Sequence, residues 1–387
     1  MDDENVLKID ALLQATIREA ASDMFVTRGF PPAVKKDGKI TPITDTELDD
    51  KEAKALVYAL MTEAQIEEYE STNEINFAVN KPGIGRFRVN VFTQRGACGM
   101  VLRVIDTQVP TIEKLGLPTV LKEIIMSKRG LIIMVGGTGS GKSTSLAAMV
   151  DHRNTNSHGH IITIEDPIEF VHSHKNCIVM QREVGVDTVD WEVALKNTLR
   201  QAPDVILLGE IRDRETMEFG ITFAETGHLA LATLHANSAN QALDRIINFF
   251  PQERRTQLLS DLSSNLRAVI SQRLVSKVGG KGRVAAIEIL KQSPLVSELI
   301  LKGEIHSLKE LMAKSNESGM RTFDQALFEL YQDRSISFEE AVSNADSQNE
   351  LRLRIKLEGR SELVQTSSSA ESGLSLEYQE DFGLKKR

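Results

Sequence analysis

The chain has 387 residues and a formal net charge of −9, and only 5% of its residues are aromatic. This composition argues against a nucleic-acid translocase, which uses basic stripes and stacking rings, so we expect a protein partner instead. No run approaches the roughly 18 consecutive apolar residues of a membrane span, and residues 1–4 are acidic where a signal peptide is basic, so we predict a cytoplasmic protein without membrane insertion.

The first domain is predicted to span residues 1–112 and to mix helices with strands. Apolar residues recur at helical spacing up to Ile17, and a short strand is predicted over residues 22–27. Residues 86–91 alternate strictly between apolar and polar, which predicts a strand with one buried face and one cationic face. Residues 100–105 are predicted to form its partner strand.

A phosphate-binding loop follows the apolar run 131–135 and opens the second domain, which we place at residues 113–293. Its backbone N–H groups are expected to surround the phosphates of ATP, with a helix over residues 144–152 behind them. Lys142 would supply a charge to the β- and γ-phosphates, and the Ser143 hydroxyl would bind Mg²⁺. The residues of the loop are Gly136, Gly137, Thr138, Gly139, Ser140, Gly141, Lys142, Ser143 and Thr144.

Three further apolar runs, at 161–164, 205–208 and 229–234, alternate with helical patterns. Strands separated by helices predict a parallel sheet covered on both faces. Glu210 comes just after the second run, where ligands lie in such sheets, and is our candidate for the residue that positions or activates the attacking water. The alternative is a surface carboxylate paired with Arg212 or Arg214.

An acidic cluster, Glu165, Asp166 and Glu169, follows the strand predicted at 161–164 and should lie at the same edge of the sheet. Acidic groups beside a triphosphate suggest that they organise water or metal, with Glu165 catalytic and Asp166 a ligand of Mg²⁺. Asp166 and Pro167 could also serve as the start of a helix.

Two histidines, His228 and His235, flank the strand predicted at 229–234. A lone histidine is more often structural, but these two bracket a core strand, so we predict that His228 senses the γ-phosphate, with His235 as a second candidate. Arg86, Arg88 and Arg103 of the first domain could reach the nucleotide of another subunit as arginine fingers, or could form a solvated basic face.

The pattern from residue 294 to 357 is helical and predicts a small C-terminal subdomain. Residues 358–387 have no apolar period and are predicted to be a disordered tail. Cys98 and Cys177 are too far apart for a paired metal motif, so we predict two small buried residues without a zinc site or a disulfide.

Seven segments of the chain together resemble the secretion-ATPase superfamily, and within it the PilT/PilU-type twitching-motility ATPases. The resemblance spans residues 5–357 and is more specific than the phosphate loop alone. The matching segments are Ser22 and Asp23 with Gly29, Pro31 and Pro32, then residues 85–88, the phosphate loop, and residues 164–169, 181–185, 209–212 and 224–228.

This resemblance implies an α/β fold in which an N-terminal PAS-like α+β domain precedes a RecA-like P-loop ATPase domain with a helical C-terminal subdomain. Glu165 and its neighbours match the aspartate box of the family, Glu210 the Walker B glutamate, and His228 and His235 the histidine box.

The resemblance also implies an assembly and partners. The family works as a cytoplasmic ring of six subunits at the inner membrane, with ATP between the two domains. Arginines that match Arg86, Arg88 and Arg103 help to close the site. Successive closure of subunits is expected to turn an inner-membrane platform protein of the PilC type and so withdraw pilin from the fibre.

Two departures narrow the resemblance to PilU-type members. The chain lacks the cysteine-rich zinc insertion of extension and secretion motors, and residues 296–304 lack the Ala-Ile-Arg-Asn-Leu-Ile-Arg-Glu box of PilT-type motors. PilU-type proteins are implied to support retraction beside a PilT-type ATPase. The alternatives are a nucleotide-gated adaptor without useful turnover and an extension or secretion motor.

Overall fold

The computed structural model of the chain describes residues 3–36, 38–105, 108–280 and 282–358. Its strands form two sheets, one of six strands in the N-terminal domain and one of seven strands in the second domain. Within these described ranges, no helix has the length and apolar character needed to cross a bilayer. The predicted tail beyond residue 358 lies outside the described residues.

The N-terminal domain packs three helices against an antiparallel sheet. The helices are α1 (Asp3–Arg18), α2 (Asp50–Tyr58) and α3 (Glu63–Thr72), and the strands are β1 (Asp23–Val26), β2 (Ala33–Lys36), β3 (Lys39–Pro42), β4 (Glu74–Lys81), β5 (Gly85–Gln94) and β6 (Ala97–Ile105). The strand order is β3-β2-β1-β6-β5-β4. The strands predicted near residues 22, 86 and 100 are confirmed, whereas β2, β3 and β4 were not predicted.

The alternation in β5 works as its pattern predicts. Phe87, Val89 and Val91 are fully buried in the core of this domain, while Arg86 and Arg88 on the opposite face are half-buried. Each apolar side chain removed from water in this way contributes roughly 1.5–3 kcal/mol to folding.

The second domain surrounds a mostly parallel sheet. Its helices are α4 (Val120–Ile125), α5 (Lys142–Asn156), α6 (Trp191–Thr198), α7 (Arg214–Glu225), α8 (Ala239–Phe249) and α9 (Gln252–Asn265), and its strands are β7 (Gly130–Val135), β8 (Gly159–Glu165), β9 (Cys177–Glu183), β10 (Val205–Leu208), β11 (Leu229–Leu234), β12 (Leu266–Ser276) and β13 (Arg283–Lys291). The strand order is β13-β12-β7-β11-β10-β8-β9.

Apolar clusters cover this sheet on both faces, as predicted. Along β7, Leu131 and Ile133 contribute to one cluster while Ile132 and Met134 contribute to the other. The sheet is not wholly parallel, however, because the edge strand β13 runs antiparallel to β12. Neither these two strands nor β9 was predicted.

The last helices are α10 (Pro294–Lys302), α11 (Leu308–Lys314), α12 (Phe323–Gln332), α13 (Phe338–Ser343) and α14 (Gln348–Glu358). α10 and α11 pack into the core on one face of the seven-stranded sheet, where Val296 and Leu308 are buried. α12 packs on β12 and β13 instead, with Phe323 in a separate cluster beside Val275. This part is therefore helical as predicted, but it shares its core with the sheet, and the division at residue 294 stays a prediction.

Residues of the linker and both cysteines are buried in the apolar cores. Ile112 and Leu117 are buried in the apolar cluster that contains Ile132 and Met134. The chain thus enters that core close to the predicted boundary at residue 112, which likewise stays a prediction. Cys98 and Cys177 are buried free thiols, as predicted.

Candidate nucleotide-binding site

The phosphate loop connects the buried strand β7 to the helix α5, at the carboxyl edge of the sheet. Two of its glycines are required by close approach of the backbone to β12. A Cβ on Gly136 would lie 2.7 Å from the carbonyl oxygen of Gln272, and one on Gly141, where φ is +83°, would lie 2.8 Å from Nε2 of Gln272. A side chain at either position would therefore press against β12, and glycine lets the loop backbone bend closely around an anion.

Lys142 is held across the loop. Its Nζ donates hydrogen bonds to the carbonyl oxygens of Gly136, at 2.7 Å, and Gly137, at 3.0 Å. Burial lowers the pKa of Lys142, while the carboxylates of Glu210 and Glu169 act in the opposite direction. The ammonium group thus lies where the loop and the acidic residues converge.

A cleft of about 510 Å³ opens beside the loop. Loop residues 138–144 form one wall, and Glu165, Asp166, Glu169, Glu210 and His235 contribute to the others. The parallel strands β8, β10 and β11 end together at this edge, which is why residues far apart in sequence meet here.

Glu210 has close partners on two sides. Nε of Arg212 donates to its Oε2 at 2.8 Å, and Nε2 of His235 lies 3.3 Å from its Oε1. Both expectations for Glu210 thus describe part of the geometry, since it pairs with Arg212 and also lines the cleft. Burial, reinforced by the charge of Lys142, lowers the pKa of His235, so its imidazole is neutral near pH 7.

The acidic cluster is held by neighbouring strands. Thr163 Oγ1 donates to Oε1 of Glu165 at 2.6 Å, and Gln181 Nε2 donates to the same oxygen at 3.1 Å. Burial raises the pKa of Glu165. Nη1 of Arg212 lies 3.4 Å from Oδ2 of Asp166, so one guanidinium bridges Asp166 and Glu210. The idea that Asp166 starts a helix is wrong, because the residues after it form a bend.

The two histidines lie at opposite edges of the sheet. His235 follows β11 and lines the cleft, whereas His228 precedes β11, and its carbonyl oxygen accepts a hydrogen bond from Gly130 at the start of β7. Six residues of strand separate the two edges by about 20 Å. Within one chain, His228 therefore lies at the end of the sheet away from the phosphate loop, whereas His235 lines the cleft. Sensing of the γ-phosphate stays a prediction for both histidines, and for His228 it would require the nucleotide of another subunit.

The three arginines of the first domain do not line the cleft of their own chain. Nη2 of Arg86 lies 3.9 Å from the buried carboxylate of Glu183, Arg103 pairs with Asp23 at 3.0 Å, and Arg88 faces Arg103 across β5 and β6. Any contact of theirs with nucleotide would have to be made in another subunit or after a domain movement, so this expectation stays a prediction.

Gln272 was missed by the sequence reasoning because β12 was not predicted. Its side chain is buried, accepts a hydrogen bond from Ser145 Oγ at 2.7 Å, and donates to the carbonyl oxygen of Ser140 at 2.8 Å. It thus joins the loop to the first turn of α5. No motif in the sequence marks this glutamine.

Further lining residues were missed as well. His172, Trp191 and Arg283 all border the cleft. His172 is buried, and desolvation lowers its pKa to about 4, so it is neutral at physiological pH. His172 lies in a loop, Trp191 begins α6 and Arg283 begins β13. No recognisable pattern marks them, and only the fold brings them to the site.

The residues present fit a nucleotide with Mg²⁺. The Oγ of Ser140 is buried in the loop without a hydrogen-bond partner among the described residues. In the described ranges, no group of three or more His, Cys, Asp or Glu is placed to hold a metal by itself. Mg²⁺ usually takes one or two protein ligands together with phosphate oxygens. Ser143 and Asp166 could supply the protein ligands beside a bound triphosphate.

Comparisons with known proteins show the family of the chain. The family described as "Type II/IV secretion system protein" matches residues 2–343. The chain is 54% identical to the "Type IV pilus ATPase PilU" of Pseudomonas aeruginosa, over 97% of this chain and 98% of that protein. It is 42% identical to the "Type IV pilus retractation ATPase PilT" of the same organism, over 88% of this chain and 98% of that protein.

A solved structure of the pilus retraction motor PilT with bound ADP superimposes with a TM-score of 0.83, at 41% identity, covering 89% of this chain and 98% of that one. That likeness agrees with the predicted order of an N-terminal α+β domain and a RecA-like ATPase domain. The chain belongs to the type II/IV secretion system protein family, and its similarity to PilU and PilT confirms the predicted resemblance to the PilT/PilU-type ATPases within it.

Proposed function

We propose that this ATPase is a motor subunit that powers or assists retraction of type IV pili, and with it twitching motility. The observation that carries the proposal is the convergence of Lys142, Glu210 and His235 on one cleft at the phosphate loop. It is supported by the similarity to proteins named as pilus ATPases, above all the 54% identity to a PilU.

The geometry suggests how hydrolysis proceeds. The loop N–H groups and Lys142 bind the β- and γ-phosphates of ATP, and the cleft places Glu210 to accept a proton from, or to orient, the attacking water. Bound Mg²⁺ would neutralise charge on the phosphates, with Ser143 and Asp166 as its protein ligands. His235, neutral and 3.3 Å from Glu210, would respond to the presence of the γ-phosphate.

The assembly is part of the same proposal. Six copies form a cytoplasmic ring at the inner membrane, where Arg86, Arg88 and Arg103 of one subunit approach the nucleotide of the next. The ring acts on a platform protein of the PilC type, as an accessory to a PilT-type ATPase. Support comes from the position of these arginines away from their own cleft and from the similarity to PilU.

ATP turnover by the purified chain tests the chemistry. We expect Lys142→Ala to abolish ATP binding, and Glu210→Gln to retain binding while lowering turnover by at least about 100-fold. Glu253→Gln, an exposed carboxylate at the start of α9, is the matched control and should behave like the wild type. Normal turnover by Glu210→Gln would remove this residue from the mechanism.

Complementation of a strain that lacks the gene distinguishes the motor hypothesis from the adaptor hypothesis. Complementation of a deletion strain with Glu210→Gln should fail to restore twitching if turnover is needed, as the motor requires. If Glu210→Gln restores twitching and Lys142→Ala does not, the chain acts as a nucleotide-gated adaptor.

The direction of action is tested by counting surface pili in the deletion strain. Abundant pili with poor spreading are expected for a retraction motor. Loss of pili would indicate an extension motor instead.

A further inference from the structure

Two consecutive residues of β12 carry long polar side chains on opposite faces of the seven-stranded sheet. Gln272 contacts the phosphate loop through the carbonyl oxygen of Ser140. Arg273, on the other face, takes no part in the chemistry proposed above and does not line the nucleotide cleft. Its contacts instead join two segments of the chain that are far apart in sequence.

The guanidinium of Arg273 lies between the segment after β11 and the C-terminal helices. Its Nη2 donates to the carbonyl oxygen of Asn237 at 3.0 Å and pairs with Oδ1 of Asp346 at 2.7 Å. Its Nη1 donates to the carbonyl oxygen of Asn344 at 2.8 Å, and its Cζ lies over the ring of Phe323, 3.9 Å from the centroid. A planar cation with several donors suits this junction, since it serves these oxygens and an aromatic face at once.

Asn237 lies in the segment that follows β11, residues 235–239, which we call the His235 segment. The segment begins with His235, whose Nε2 lies 3.3 Å from Oε1 of Glu210 in the cleft, and it runs into the first turn of α8. The position of the backbone at Asn237 limits where the nearby imidazole ring can lie. A contact that fixes Asn237 therefore acts on the distance between His235 and Glu210.

The His235 segment is held at its two ends as well. The carbonyl oxygen of His235 accepts a hydrogen bond from Nη1 of Arg245 at 2.6 Å, and the N–H of Ala239 donates to Oε1 of Glu288 at 2.7 Å. These two partners belong to α8 and β13 of the second domain. The middle contact, from Arg273, depends in addition on the C-terminal helices.

Asp346 fixes the far side of Arg273. It lies between α13 and α14, where Nζ of Lys309 pairs with its Oδ2 at 2.9 Å and its N–H donates to Oδ1 of Asp324 at 2.8 Å. Burial opposes the ionisation of Asp346, but the hydrogen bonds and charges of Lys309 and Arg273 outweigh it and lower the pKa of this carboxyl. Arg273 and Asp346 line a separate cleft of about 290 Å³, so an effect of theirs on turnover must be indirect.

We propose that Arg273 is a positioning residue for ATP hydrolysis: anchored by Asp346, it holds the His235 segment so that His235 stays beside Glu210. It acts through His235 from outside the nucleotide cleft. The C-terminal helices thereby contribute to turnover although they lie away from the phosphate loop. The inference rests on the proposed function in one respect, namely that His235 acts next to Glu210 during turnover.

Hydrogen exchange of the full chain, measured by mass spectrometry on peptides that cover residues 235–241, tests the contact without turnover. Arg273→Ala should make these amides exchange about tenfold faster, because the segment loses one of its restraints, and should leave peptides of β7 unchanged. Arg273→Lys keeps the charge beside Asp346 but loses the planar fork, and it should give an intermediate rate.

The matched control is Arg267→Ala. Arg267 is also half-buried, and it lies at the other end of β12, where its Nε donates to the carbonyl oxygen of Arg129 at 3.0 Å. Its removal should leave exchange in residues 235–241 unchanged.

Turnover tests whether the contact acts through His235. Arg273→Ala should lower kcat about tenfold and leave the Kd for ATP within about twofold, since the phosphate loop keeps its contacts. Asp346→Ala should lower kcat in the same way. Adding Arg273→Ala to His235→Ala should change kcat by less than about twofold, because the group that Arg273 positions is already absent.

Unchanged exchange of residues 235–241 in Arg273→Ala, or an equal change in Arg267→Ala, would overturn the assignment. So would losses of kcat that multiply in the double variant, because a merely structural role is independent of His235. If Arg273→Ala does not fold, Arg273→Lys decides both measurements. Absence of ATP turnover in the wild-type chain would instead contradict the proposed function, and the exchange rates would still show whether Arg273 holds the segment.

Discussion

The parallel strands of the seven-stranded sheet have different surroundings at their two ends. We call the side where these strands end the carboxyl edge, and the side where they begin the amino edge. The carboxyl edge holds the phosphate loop, Glu210, His235 and the acidic cluster around a cleft. At the amino edge, polar groups contact residues nearby in the sequence. Nδ1 of His228, for example, lies 3.0 Å from Thr226 Oγ1 and 3.2 Å from the carbonyl oxygen of Phe223, near the end of α7.

The difference teaches where substitutions should affect chemistry and where they should affect only the fold. Side chains at the carboxyl edge converge from several strands, so a change in one disturbs the others. Side chains at the amino edge close helices and loops, so their removal should cost stability alone. Paired substitutions at the two edges test this contrast.

The largest difference in ATP affinity is expected between substitutions of two glycines, one at each edge. Gly141→Ala at the carboxyl edge would force a Cβ to within 2.8 Å of Nε2 of Gln272 and would strain a backbone with φ of +83°. Because that nitrogen is hydrogen-bonded to the loop at Ser140, the loop must shift. We expect ATP affinity, measured by calorimetry, to fall at least about 100-fold.

Its control is Gly227→Ala at the amino edge, where φ is +100° but no atom lies within 4 Å of the added Cβ. Only backbone strain remains, which costs roughly 1–2 kcal/mol of stability. ATP affinity of the folded protein should be unchanged. Equal losses of affinity in the two variants would contradict the contrast between the edges.

A smaller effect is expected from the two histidines. His235→Ala removes the neighbour of Glu210 and should lower kcat about 30-fold, less than the roughly 100-fold or more lost with an acid–base group itself, because His235 acts through Glu210. His228→Ala should lower the melting temperature slightly and leave kcat within about twofold, since its contacts are with the end of α7. A steady-state assay of both variants decides; a larger loss of kcat in His228→Ala would support the original prediction for that residue, acting between subunits.

The smallest effect is expected from two glutamines. Gln272→Ala leaves Ser145 Oγ and the carbonyl of Ser140 without their partner and should raise the Kd for ATP about tenfold. Gln292→Ala is its control: Gln292 follows β13 at the amino edge, where its Nε2 donates to Ser297 Oγ at 3.4 Å. Nucleotide titrations of both variants should separate them, and identical affinities would show that the contact of Gln272 with the loop does not shape the site.

Much of the fold was open to prediction because local patterns were strong. β10 and β11 match the predicted runs at 205–208 and 229–234, and the alternation at 86–91 lies within β5. β12 and β13 were missed because polar residues such as Gln272, Arg273 and Glu288 interrupt their apolar pattern. These side chains are tolerated there only through tertiary partners; Glu288, for example, accepts a hydrogen bond from the N–H of Ala239.

Parts of the candidate site could likewise be predicted from local sequence, and other parts were not. The phosphate loop could be read directly, since its glycines and Lys142 act through a local turn. His228 and His235 flank the same strand, and the parallel pairing of β11 with β7 shows that the end with His235 faces the loop. The predicted parallel sheet already favoured the histidine that follows the strand, but this consequence was not drawn from the sequence.

The sequence by itself determined that this chain binds nucleotide and which family it resembles, because the phosphate loop is built from neighbouring residues whose backbone geometry depends on glycine. Only the tertiary structure decided which histidine, glutamine and arginine surround that loop. Strand order and direction bring Gln272 to the loop and Arg283 to the cleft and carry His228 away from both, and such pairings depend on long-range packing that no local spacing encodes.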